Sequence, residues 1–100
     1  MSVDGYQTQD VAYCAALCYT YGIEALTKVE IDGHLKIFHL DIASNDGEEY
    51  LKDWNSGQFN VTDLKTFMKM YSNITQILRD LTRTGESEWT PRWQIVPTRR

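Results

Sequence analysis

The chain predicts an α+β domain: a helix, a β-hairpin, a short helix and a long amphipathic helix, with a third strand near the C-terminus as a candidate addition. Three observations carry this. Two apolar runs rich in β-branched residues are separated by Asp32-Gly33, the strongest short-range hairpin signal. Apolar residues step by three and four through residues 64–81, the period of a helix with one buried side. A run of small and apolar residues follows Thr8 and stops at Gly22, which suits a third helix with its ends marked.

The first helix takes Thr8 as its N-cap and Asp10 in its first turn, where the helix dipole favours negative charge. Val11, Ala15 and Cys18 form one row, and Tyr13, Leu17 and Tyr21 another. The alanines between them let a neighbouring element approach closely. In the hairpin, runs 26–31 and 35–42 flank a two-residue turn that pairs Ile31 with His34 and Val29 with Lys36. One face then holds Val29, Ile31, Phe38, Leu40 and Ile42, and the other holds Leu26, Glu30, Leu35, Ile37, His39 and Asp41. A change of apolar phase between Ile37 and Phe38 makes room for a bulge or a three-residue loop. A two-stranded ribbon is marginal alone, so helices must cover it.

Ser44-Asn45-Asp46-Gly47 reads as a turn leading into a short helix over 48–56, with Tyr50, Leu51 and Trp54 on one side and Gly57 as its end. Trp54 is expected to anchor the core. The acidic residues nearby are a solvated, dipole-matched helix start, and Ala43 breaks any calcium-loop pattern begun at Asp41. The third helix is capped by Asn60 or Thr62, with Asp63 in its first turn. Leu64, Phe67, Tyr71, Ile74, Leu78 and Leu81 form its stripe, widened by Met68, Met70 and Ile77. This stripe serves the domain's own core, and a dimer seam is the sharper alternative. Opposite it stand Lys65, Lys69, Arg79 and Arg83, a row of cations able to meet phosphates or simply water.

Residues 1–85 therefore form one domain, and residues 86–100 a Trp-rich extension that folds back on it or docks on a second copy. Within the extension Trp89, Trp93, Ile95 and Val96 are the candidate partner-binding residues, because each tryptophan offers roughly 150–250 Å² to bury. Residues 92–96 suit one further strand.

Composition bounds the function. The 100 residues carry 10 basic and 14 acidic side chains, a net charge of −4, which disfavours a general nucleic-acid binder. The longest uncharged stretch, residues 11–23, is 13 long, short of the roughly 20 needed for a membrane span. Cys14 and Cys18 cannot build a disulfide framework and read as buried, reduced thiols of a cytoplasmic protein. Their spacing to His34 and His39 imitates a zinc finger, but five residues along a strand point two imidazoles to opposite faces about 17 Å apart. No phosphate loop or nucleophile elbow occurs. A catalytic centre would require the fold to assemble Cys18, His39 and Asp41. The expectation is a non-catalytic protein without cofactor or metal. Its partner is another protein, with a second copy of itself as a candidate. A nucleic-acid accessory role through the third helix is the alternative.

Thr8-Gln9-Asp10-Val11-Ala12 with Ala15-Ala16-Leu17, the Asp32-Gly33 hairpin with Phe38 and Leu40, and Trp54-Asn55-Ser56-Gly57 with Val61, Asp63 and Phe67 together resemble a short domain family of unknown function. That family occurs in bacterial, prophage and phage proteins. The resemblance covers residues 6–80, and departs at Val11, at Leu40 and at the extra Ser56. It implies a bacterial or phage-infected cytoplasmic setting and brings no activity and no functional residues.

Overall fold

The computed structural model describes residues 5–91. In chain order these form β1 (Tyr6–Thr8), α1 (Val11–Tyr21), a 3-10 turn (Ile23–Ala25), β2 (Leu26–Asp32), β3 (Leu35–Leu40), α2 (Ser44–Ser56), α3 (Leu64–Thr84) and β4 (Glu88–Trp89). The strands make one sheet in the order β1-β3-β2-β4, each neighbouring pair antiparallel. The α+β class is as the sequence predicts, with the hairpin at the centre of the sheet.

The hairpin turns one residue later than expected. Asp32 pairs with Leu35, which leaves Gly33-His34 as the loop, and Val29 faces Phe38 rather than Lys36. Of the two loop residues only Gly33 has a positive φ, 64°, which suits a type II′ turn with glycine first. The pairing is offset by two residues, so the side chains at 29–31 and 35–40 keep their expected faces. Thr27 bulges between Leu26 and Lys28, and its hydroxyl donates to the His39 carbonyl at 3.1 Å. The bulge turns Leu26 onto the Phe38 face, where it is fully buried.

β1 was not expected. Tyr6 pairs with Leu40 and Thr8 with Phe38, so residues assigned to the lead-in of the first helix form an edge strand. The cap of α1 is consequently Asp10, not Thr8. Its carboxylate accepts from the Ala12 and Tyr13 amides at 2.9 and 3.2 Å. α1 carries no charge, and Tyr13, Cys14, Ala15, Ala16, Leu17 and Cys18 are all buried. A helix apolar around its circumference must have neighbours on every side. Here they are the sheet's inner face (Leu26, Val29, Phe38, Leu40), α3 (Ile74, Leu81) and the start of α2.

α2 begins four residues before the expected start and absorbs Ser44-Asn45-Asp46-Gly47 into its first turn. Gly47 is needed there because the Tyr6 ring lies against it and leaves no room for a Cβ. The buried Tyr13 hydroxyl donates to the Gly47 carbonyl at 2.6 Å. Trp54 is half-buried rather than sealed in the core, its ring 5.8 Å from both Tyr13 and Phe59. α3 is capped by Asp63, which accepts from the Thr66 amide and hydroxyl at 3.2 and 2.7 Å. Asn60 and Thr62 lie outside that role. The extension contributes β4, in which Trp89 pairs with Val29. The expected strand at 92–96 lies outside the described residues.

Candidate interaction surface

α3 rests on α1 with only part of its apolar stripe. Ile74 and Leu81 are buried, and Phe67, Met70, Ile77 and Leu78 are partly so. Leu64, Met68 and Tyr71 remain 66%, 52% and 36% exposed. At 100° per residue the apolar arc from Ile77 to Met68 spans about 180°, and α1 covers only the part nearest Ile74. The uncovered edge follows positions 64, 68 and 71, the spacing by which one helix receives another.

The cations adjoin this edge. Arg79 lies about 20° around the helix from Met68, with Lys65 and Lys69 further to the same side. Lys65, Lys69, Arg79 and Arg83 are all exposed. Arg83 pairs with Asp80 at 3.0 Å, and no ion pair holds the other three among the described residues. Four cations against one carboxylate leave α3 at +3 in a chain of −4.

The N-terminus of α3 is fastened to α1 by Tyr19, which the sequence reading did not single out. Its oxygen accepts the Thr62 and Asp63 amides at 3.0 and 2.9 Å and meets the Thr62 hydroxyl at 3.1 Å. Those hydrogen bonds, the Thr62 hydroxyl foremost, hold its phenol below the ordinary tyrosine range. The Phe67 ring closes edge-on at 6.1 Å. The Thr66 bonds likewise hold the Asp63 carboxyl below the usual aspartate range. Since tyrosine clusters of this kind have no sequence period, composition alone offers no signal for this one.

The other chemistry-bearing residues do not converge. Cys14 and Cys18 are buried on α1, where the hydrogen bond between them and burial push the Cys14 thiol up. His39 points to the outer face of the sheet, beyond Phe38 and Leu40, and its Nε2 meets Glu30 Oε1 at 2.6 Å. That contact holds the Glu30 carboxyl down, and Lys28 stands 3.8 Å from its other oxygen. The sheet thus separates Cys18 from His39, and Asp41 sits in the bend after β3 with its amide donating to Ala25. His34 is exposed at the hairpin tip. Among the described residues no three His, Cys, Asp or Glu side chains gather as a metal site.

Of the candidate partner-binding residues, Trp89 is half-buried in β4 and packs against the core. Trp93, Ile95 and Val96 lie outside the described residues. No helix among the described residues is long and apolar enough to cross a membrane. Compared with known protein families, curated proteins and solved structures, the chain has no match.

Proposed function

We propose that this chain is a small, non-catalytic protein-interaction module that docks through the outer edge of α3, in a bacterial or phage-infected cytoplasm. The supporting observation is the run Leu64, Met68 and Tyr71, exposed at helical spacing on the longest element of the fold. Covering the parts of these three side chains that remain in water supplies about 3–4 kcal/mol in total. Against a catalytic role stand the burial of both thiols and the separation of Cys18 from His39 by the sheet.

Site-specific photo-crosslinking tests the reading. A photoreactive phenylalanine analogue replaces Tyr71 in one variant and Asn55, exposed on α2, in another. In cells producing the full chain, protein adducts are expected from position 71 and not from position 55. An adduct of twice the chain's mass would identify a second copy as the partner. Equal adducts from both positions, or none from position 71, would refute the docking face.

A further inference from the structure

We infer that the partner seated on α3 is an acidic amphipathic helix of another protein, an inference that rests on the docking face proposed above. Charge complementarity selects this occupant. The exposed apolar edge runs beside Arg79, Lys65 and Lys69, and no carboxylate pairs with these three among the described residues. On the other flank lies α1, which carries no charged residue at all. The surface therefore offers an apolar track bordered by one sign of charge, and a partner with the opposite border both attracts and orients itself.

A second copy answers this pattern poorly. Two α3 helices paired in parallel place Lys65 and Lys69 beside their own equivalents. Paired antiparallel, they place Lys65 and Lys69 beside Arg79 and Arg83. Either arrangement sets cation against cation. The acidic helix α2 of a second copy supplies the charge but not the apolar track. Its Tyr50, Leu51 and Trp54 turn inward, and the exposed large apolar residues of the described chain are Tyr21, Leu35, Leu64, Met68 and Tyr71. Nucleic acid satisfies the cations but leaves Leu64, Met68 and Tyr71 in water. A helix fits the track's length: positions 64, 68, 71, 75 and 78 follow one face over about 21 Å, four turns of a straight partner.

The test uses two synthetic helical peptides of 18 residues with the same leucine stripe, one flanked by glutamates and one by lysines. Binding of each to the full-length chain is read by fluorescence anisotropy at low and at high salt. The acidic peptide is expected to bind on the order of tenfold tighter or better, and to lose that advantage as salt rises. In the triple variant Lys65→Glu, Lys69→Glu, Arg79→Glu the preference should invert toward the lysine peptide. Leu64→Ser with Met68→Ser should weaken both peptides, with the far-UV circular dichroism unchanged because both positions are exposed.

Equal affinity for the two peptides, with both lost in the serine variant, overturns the acidic partner while sparing the docking face. No binding of either peptide, or tighter binding of a 20-nucleotide oligonucleotide or of phosphatidylserine vesicles, also overturns the acidic partner. The docking face itself then stands or falls on the crosslinks from position 71.

Discussion

Gly47→Ala tests the placement of β1 and α2 together. In an ordinary helix interior this change stabilises by about 1 kcal/mol, since alanine is the better helix former. Here the new Cβ would stand 2.5 Å from Tyr6 Cγ and 2.6 Å from Cε1, far inside van der Waals contact. The Tyr6 ring cannot retreat freely, because Tyr13 meets it edge-on at 6.2 Å and the chain behind it is paired to Leu40. Overpacking of this kind costs about 1–3 kcal/mol. The same clash pushes α2 outward and draws the Gly47 carbonyl away from the buried Tyr13 hydroxyl, at about 1–3 kcal/mol for the unsatisfied group. With both in play the losses exceed the gain by about 3 kcal/mol. Urea unfolding followed by circular dichroism should show the midpoint falling by about 2 M, for a slope of about 1.5 kcal/mol/M. Tyr6→Leu should partly rescue the variant, with a coupling of at least about 1 kcal/mol in the double-mutant cycle. An unchanged or raised midpoint for Gly47→Ala, or strict additivity with Tyr6→Leu, would refute the packing of β1 against α2.

Four further outcomes follow from the same structure. Ile74→Ala should cost about 2–5 kcal/mol, whereas Met68→Ala on the exposed edge should stay within about 0.5 kcal/mol, both read from urea midpoints. Trp54→Ala should cost about 2–3 kcal/mol, below the range for a sealed tryptophan because the side chain is only partly buried. Asp63 has its carboxyl held down in the folded chain, so its contribution is full above the unfolded aspartate value near pH ~4 and is lost as pH falls through the folded value. Asp63→Asn keeps a competent cap and should therefore flatten the acid limb of a stability-versus-pH curve while leaving stability near neutrality little changed. Cys14 and Cys18 should react with a thiol reagent at neutral pH only as fast as the chain opens, and promptly in denaturant.

The parts of this fold that were legible in the sequence are those with a local signal. The period of α3 is visible from Leu64 to Leu81, and the Asp32-Gly33 pair marks the hairpin to within a residue. Gly22 and Gly57 mark helix ends by their position after stretches with helical apolar spacing. What escaped depends on neighbours distant in sequence. Tyr6, Gln7 and Thr8 are too few to show an alternation, and they form a strand only because β3 offers a free edge. Gly47 belongs to a turn by local preference and to a helix by virtue of the Tyr6 ring. The width of the α3 stripe could be counted from the sequence, but which side of it α1 would cover could not. Leu64 and Ile74 are chemically alike and differ in exposure because of where another helix lies.

Among the described residues the outer face of the sheet and the edge of α3 both meet solvent, and their electrostatics distinguish them. On the outer face of the sheet Glu30 already meets His39 at 2.6 Å and Lys28 at 3.8 Å, so a partner there must break bonds to make its own. On α3 a partner displaces only water from the apolar edge. Leu64, Met68 and Tyr71 together expose the equivalent of about one and a half whole side chains. Covering them supplies about 3–4 kcal/mol. Association itself costs about 4 kcal/mol or more, and a micromolar complex needs about 8 kcal/mol net. The edge alone therefore cannot hold a partner at cellular concentrations. The difference must come from added contact along the remaining turns of α3 and from Lys65, Lys69 and Arg79, whose contribution fades in salt. An acidic-peptide complex whose affinity is indifferent to salt would mean that the cations play no part, and that some larger apolar contact holds the partner.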